Sequence, residues 1–269
     1  MKKALIIGIG TLGSRVALLA QKEYSLTLLD RDIVEEHNIG RQKIFSKKDV
    51  GFPKAIAAAK ILNCDYVVTD VIEAQPDFSS FDIILECLDN NEARIRVVES
   101  AFALGVPLVH SSAEANVGEV MTIPPGHRIA GYWNKKDSPG CDSEGIDERT
   151  ADKVTRLMLD VSMNLQQWSL TPILYRMRNG HMRTFSVRDC IPSRSTRNER
   201  TITRLCGGTW HVRGLEYSWN SLYCKHKGEA ASFSSEHITL GDCTFFKDGR
   251  ILVKKNEKKE IMKSIQAWM

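Results

Sequence analysis

An apolar run, Ala4–Ile9, meets glycines at Gly8, Gly10 and Gly13, and apolar residues then recur at Leu12, Val16 and Leu19. Such a change from a continuous run to helical spacing across glycines predicts a strand, a tight turn and a helix. A second apolar run, Ser25–Leu29, stops on Asp30. Over residues 51–62, Pro53 suits a first helical turn, the alanines favour helix, and Ile56, Ile61 and Leu62 supply an apolar side. Strands follow by pattern at Tyr66–Val71, at 81–87, at Val106–His110 and again across 111–120, with a helix at Arg94–Leu104 that ends on Gly105. Ala151–Ser169 carries Val154, Leu157, Met158, Val161, Leu165 and Trp168 on one side. Asp248-Gly249 between two apolar stretches marks a hairpin, and 256–269 reads as a closing amphipathic helix anchored by Ile261, Ile265, Trp268 and Met269. This alternation predicts an α/β chain: a Rossmann-like, mostly parallel sheet with a mixed C-terminal extension. The expected division is a core at 1–125, then a crossover loop, a packing helix and a C-terminal region at 126–269.

The first sixty residues carry the chemistry. A glycine turn that feeds a helix N-terminus suits phosphate, and Asp30 at the end of the second strand suits ribose hydroxyls. Three further segments narrow the kind of nucleotide chemistry: Asp30-Arg31-Asp32, then Asn38-Ile39-Gly40-Arg41-Gln42, then Gly51-Phe52-Pro53-Lys54. Hydride transfer builds no charge on phosphates and has no use for Arg41 and Lys54, whereas cleavage of ATP between its phosphates does. Lys54 at a helix start opposes the helix dipole unless an anion neutralises it, which marks it as ligand-facing.

The stretch resembles the ThiF, MoeB and HesA adenylating enzymes and the adenylation domain of ubiquitin-activating enzymes. The glycine loop, Asp-x-Asp-x-Val, Asn-x-x-Arg-Gln and Gly-x-Pro-Lys occur here in order. The resemblance implies an ATP-dependent adenylyltransferase that activates a carboxylate as an acyl-adenylate and releases pyrophosphate. It implies Gly8, Gly10 and Gly13 around phosphate, Asp30 and Asp32 on the ribose side, Asn38, Arg41, Gln42 and Lys54 on the phosphates, and Leu88 and Asp89 at the nucleotide. Asp89, in Leu88-Asp89-Asn90, takes the magnesium-binding role, and Arg94 a supporting one. Arg41, Lys54 and Asp89 form the expected catalytic set. Without the resemblance, Asp89 reads equally as a helix cap. A homodimer is implied in the same way.

At 269 residues, 42% apolar and 26% charged, the chain is expected to be a soluble globular protein with one large core or a core and a small appendage. The formal net charge of +4 is mild, and no run of apolar residues is long enough to span a membrane. Seven cysteines fit a reducing, cytoplasmic setting better than a disulfide scaffold. They lack the close pairs of a zinc site: Cys141 stands alone, and Cys190, Cys206, Cys224 and Cys243 are widely spaced near His211 and His226. Cys206-Gly207-Gly208 is the most reactive-looking context. Arg176, Arg178, Arg183, Arg188, Arg194, Arg197, Arg200 and Arg204 face few carboxylates, so they form either an anion-gripping surface or a salt-linked face. Sparse aromatics make nucleic acid the weakest of the anionic partners. His110 reads as a strand-end structural residue. The carboxylate stays open between a sulfur-carrier or ubiquitin-like C-terminus and a small-molecule cofactor precursor. A non-catalytic scaffold and a nicotinamide oxidoreductase are the remaining alternatives.

Overall fold

The computed structural model describes residues 1–74, 76–133, 145–165, 171–189, 202–204, 209–212, 215, 217–247, 249–255 and 257–269. Cys141, Cys190, Cys206, Asp248, Trp168 and the arginines at 194, 197 and 200 lie outside them. The chain divides into two compact units, one of Met1–Asp49 with Lys54–Arg194, the other of Val50–Pro53 with Ser195–Met269. The position 125/126 falls inside the first.

The first unit is a mixed α/β sheet. Its strands are β1 (Lys2–Ile7), β2 (Tyr24–Asp30), β3 (Asp65–Val68), β4 (Ile83–Glu86), β5 (Leu108–Glu114), β6 (Val117–Ile123), β7 (Ile173–Arg178) and β8 (His181–Ser186). They lie in the order β3-β2-β1-β4-β5-β6-β7-β8. The first five run parallel and the last three continue antiparallel. Among the described residues, four α-helices cover it: α1 (Thr11–Ala20), α2 (Lys54–Leu62), α3 (Asn91–Leu104) and α4 (Glu148–Met163). Alternation along β1 sends Leu5 and Ile7 into a layer with Ile84, Val97, Val98, Leu108 and Trp133 beneath α3. On the other face α4 packs along α1 and over β5 and β6. There Gly118 is required, because a Cβ would stand 2.4 Å from Val154 Cγ2. Among the described residues, no helix is long and apolar enough to cross a membrane.

Boundaries depart from the sequence pattern for identifiable reasons. β3 stops at Val68 where 66–71 had suggested a longer strand, because the Asp70 carboxylate accepts the Ile72 N–H at 2.9 Å and turns the chain. α4 starts three residues earlier than expected, capped by Asp147, whose side chain accepts from Thr150 N–H at 2.9 Å. Its helix ends at Met163, so Leu165 lies beyond it.

The second unit is a six-stranded antiparallel sheet. With β9 (Ile202–Arg204), β10 (Thr209–Val212), β11 (Ser232–Phe233), β12 (His237–Leu240), β13 (Cys243–Phe246) and β14 (Ile251–Lys254), the order is β11-β12-β13-β14-β10-β9. The hairpin expected around Gly249 is β13–β14. Among the described residues, two α-helices, α5 (Trp219–His226) and α6 (Ile261–Gln266), go with it. Ile238, Leu240, Phe245, Ile251, Ile261 and Ile265 form its core.

Candidate active site

Strand order reverses between β1 and β4, so the carboxyl ends of these neighbours open a crevice, the usual place for a ligand in such sheets. Gly8 turns the chain there with φ +88°, and a Cβ on it would lie 2.8 Å from the Cys87 carbonyl oxygen. At Gly13 a Cβ would fall 1.8 Å from the Gly8 carbonyl oxygen, so only glycine lets α1 sit this close to the turn. Gly10 differs: nothing lies within 4 Å of its hypothetical Cβ. It is the N-cap of α1, no side chain caps that end, and no acidic residue occupies the first turn. The amides of the first turn have no intrahelical acceptors, as an anion site at a helix N-terminus requires.

Asp30 ends β2, is buried, and accepts backbone N–H groups with both oxygens: Ile9 N–H on Oδ2, and Asp32 N–H on Oδ1 at 2.7 Å. It therefore ties the glycine turn to the segment after β2, and a ribose would use only its remaining lone pairs. Burial pushes its pKa up, against the pull of Lys54. Lys54 opens α2, its amide donates to the Asp32 carbonyl at 2.8 Å, and its Nζ stands 3.4 Å from Asp32 Oδ2. Only 8% of the residue is exposed. Burial alone would depress its pKa, but Asp32, Asp30, Asp89 and Glu35 outweigh it and raise it, so Lys54 is charged throughout the neutral range. Arg31 shows the same balance: burial opposes and Asp32, Asp70 and Asp89 prevail, with Nη1 on Asp70 Oδ2 at 3.0 Å. Asp32 thus links Asp30 to Lys54, and the charge of Asp89 acts to raise the pKa of both Lys54 and Arg31.

The cap of α3 is Asn90, which accepts the Ala93 N–H at 2.8 Å. Asp89 is thereby released from the capping role and is exposed. Leu88 is half-buried beside it. Among the described residues no group of three or more His, Cys, Asp or Glu side chains forms a metal cluster. A single exposed carboxylate at a strand end nevertheless fits magnesium, which takes one or two carboxylates and completes its shell with phosphate and water.

The Asn-x-x-Arg-Gln segment is arranged differently from the rest. Asn38 is buried and occupied locally: Oδ1 accepts the Glu35 N–H at 2.9 Å and Nδ2 lies 3.0 Å from His37 Nε2. Gln42 is buried with its Oε1 lacking a hydrogen-bond partner among the described residues. Arg41 is exposed, its guanidinium close against Gly145, where a Cβ would come within 2.6 Å of Nη2. No hydrogen bond or ion pair among the described residues joins it to the Asp32–Lys54 pair.

Sequence reasoning missed Arg31, Asp70, Glu86 and the ionic role of Arg15. Arg15 is buried in α1 and reaches Asp152 Oδ1 at 2.5 Å and Glu148 Oε1 at 3.4 Å on α4. His110 is buried against Glu86 and edge-on to Trp133, in keeping with the structural reading. Of the arginine-rich run, Arg176 bonds Glu119 Oε1 at 2.6 Å, a salt-linked face at that position.

A profile of the ThiF family matches residues 1–190. This chain belongs to the ThiF family. Over 127 residues it is 38% identical to the "adenylyltransferase and sulfurtransferase uba4" of Neosartorya fischeri, which covers 46% of this chain and 26% of that protein. The "sulfur carrier protein ThiS adenylyltransferase" of Bacillus subtilis is 33% identical over 137 residues, 46% of this chain and 41% of that protein. The chain thus spans well under half of the curated relatives it matches. Among solved structures, E. coli MccB crystallised with ATP is similar with a TM-score of 0.56 at 16% identity, covering 71% of this chain and 64% of that one. At that identity the likeness concerns the fold alone. The ThiF match ends at residue 190, so it leaves the antiparallel C-terminal sheet outside.

Proposed function

We propose that this ThiF-family chain is an ATP-dependent adenylyltransferase that activates a carboxylate. The observation that carries the reading is Lys54: a buried, charged ammonium at the start of α2, beside Asp32 and among carboxylates that keep it protonated. Its chemistry matches a reaction that accumulates negative charge on phosphate.

A carboxylate oxygen attacks the α-phosphorus of ATP, a new P–O bond forms, and the bond to the bridging oxygen breaks with diphosphate leaving. The first-turn amides of α1 cradle the phosphates, and Lys54 compensates charge on the phosphoryl oxygens. Arg41 approaches the leaving diphosphate from its exposed position, and Gln42 supports that segment with an acceptor still to be filled. Magnesium, when bound, would supply positive charge that lowers the cost of expelling diphosphate. Asp89 holds it, Asp30 and Asp32 bound the ribose side, and Leu88 lines the wall.

The relative named as a sulfur carrier protein ThiS adenylyltransferase supports a sulfur-carrier protein's carboxylate as the acceptor. Burial pushes the Cys87 and Cys243 thiols up to about 12 and Cys64 up to about 11. None of these three is a poised thiolate, which favours adenylation without a thioester on them. A homodimer and a cytoplasmic setting belong to the same reading.

Lys54→Ala tests it. ATP–pyrophosphate exchange, with a Gly-Gly-ended carrier protein as the acceptor, is expected to fall by about 100-fold or more while ATP affinity falls by less than about tenfold. Equal losses in both would sink the assignment.

A further inference from the structure

Behind Leu88 and Asp89 lies a buried polar cluster that the reaction does not touch. Glu86, the last residue of β4, is 0% exposed, and its partner in the sheet register is His110 of β5. Its Oε2 is 2.5 Å from His110 Nδ1, and its Oε1 accepts the Leu88 N–H at 2.6 Å. Arg94, in the first turn of α3, closes the cluster from the other side. Its Nη2 donates to the Leu88 carbonyl at 2.7 Å, its Nη1 to Asn91 Oδ1 at 3.1 Å, and its Nε stands 3.9 Å from Glu86 Oε1. Trp133 shuts off the far edge of His110, with ring centroids 5.0 Å apart.

Both peptide groups flanking Leu88 are therefore held by charged side chains taken out of water. The second of those peptides is the one that carries Asp89. A loop at a strand end ordinarily leaves such groups to solvent. Burying a carboxylate and a guanidinium is costly and returns little net stability, so the placement of the cluster calls for another reason.

We infer that Glu86, His110 and Arg94 are positioning residues that fix the Leu88–Asp89 peptide and so aim the Asp89 carboxylate at the magnesium of the nucleotide. His110 orients Glu86, Glu86 holds the Leu88 N–H, and Arg94 holds the Leu88 carbonyl. This rests on the reading of Asp89 given above. Supporting partners of this kind typically alter metal affinity by about 10-fold to 100-fold when removed.

The test is ATP affinity measured by calorimetry on the full chain, with magnesium and with EDTA, for the wild type, Asp89→Ala, Arg94→Met and the double variant. Arg94→Met and Asp89→Ala are each expected to remove most of the magnesium-dependent gain in affinity while affinity in EDTA stays within about threefold. The double variant is expected to lose no more than either alone. Hydrogen exchange at the Leu88 and Asp89 amides of the nucleotide-free protein is expected to rise by about tenfold in Arg94→Met and Glu86→Ala, and less in Glu86→Gln, which keeps an acceptor. Additive losses in the double variant, or unchanged amide exchange, overturn the positioning role. An Asp89→Ala protein that keeps its full magnesium gain overturns the reading of Asp89 itself.

Discussion

The ammonium of Lys54 lies 3.4 Å from Oδ2 of Asp32, with only 10% of the lysine side chain and 28% of the aspartate exposed. In the proposed reading, the cation offered to phosphate is thus already compensated, and a ground-state phosphate would share it with Asp32. Asp32→Asn is expected to tighten ATP binding in EDTA by about threefold, the equivalent of ~0.6 kcal/mol of relieved repulsion at a partly screened site. Lys54 keeps its charge in that variant through Asp30, Asp89 and Glu35. Calorimetric titration reads the change, and weaker binding would contradict the competition.

Gly13 and Gly10 of the turn are expected to separate by role. Gly13→Ala forces a Cβ into the Gly8 carbonyl, so it is expected to lower the thermal midpoint sharply, in the range of about 3 kcal/mol or more set by overpacking. Gly10→Ala meets nothing within 4 Å, so the protein is expected to melt near the wild-type temperature. With phosphate at the first turn of α1, as proposed, a methyl group at this N-cap crowds the ligand, so ATP affinity is expected to fall by about tenfold, as about 1.4 kcal/mol would give. A stable Gly13→Ala protein, or a Gly10→Ala protein with unaltered ATP affinity, would count against this geometry.

Much of the first unit was legible because its signals are local. A run that stops on glycines, a carboxylate that ends the next run and an alanine-rich segment after Pro53 each report on a few neighbouring residues, and these locate β1, α1, β2 and α2. The pairs that organise the site were not legible, since Arg31–Asp70 and Glu86–His110 are separated by 39 and 24 residues and meet only through strand order. Asp89 and Asn90 are both competent caps, and nothing local says which one takes α3 and which one faces the crevice. β7 and β8 were hidden because Arg176 and Arg178 share a face with the buried Leu174 and β8 is exposed throughout, so the alternation that reveals a half-buried strand is missing. The C-terminal sheet escaped for a similar reason: short strands, several of only two to four residues, carry too few positions for a period to show.

Alkylation is expected to sort the described thiols. Cys87, Cys243 and Cys64 are raised by burial, so iodoacetamide at about pH 7.5 is expected to leave them largely unmodified in the folded protein, while the exposed Cys224 reacts. Peptide mass mapping before and after denaturation checks the order. Rapid modification of Cys87 in the native state would show that its surroundings are more open than the sheet allows.

Acid is expected to weaken the second unit through His237. Burial holds its pKa down to about 4 from the usual 6.5, and Ser234 and Ser232 hydroxyls meet its two ring nitrogens at 2.8 Å and 3.3 Å. Between those values the unfolded chain binds a proton that the folded chain refuses, so stability falls as pH drops from about 6.5 toward 4, by up to about 3 kcal/mol. Urea midpoints followed by tryptophan fluorescence are expected to show this slope, and His237→Gln is expected to flatten it. An acid slope that His237→Gln leaves in place would assign the effect to other groups.

The most direct test of the central claim is ATP–pyrophosphate exchange by the full chain with magnesium, adding Gly-Gly-ended carrier proteins, peptides and small carboxylates in turn. Adenylation of a carboxylate requires exchange that is absent without an acceptor, appears with one acceptor class and disappears in Lys54→Ala. Measurable ATP binding with no exchange from any of the three classes would contradict the account and leave the fold as a nucleotide-binding scaffold.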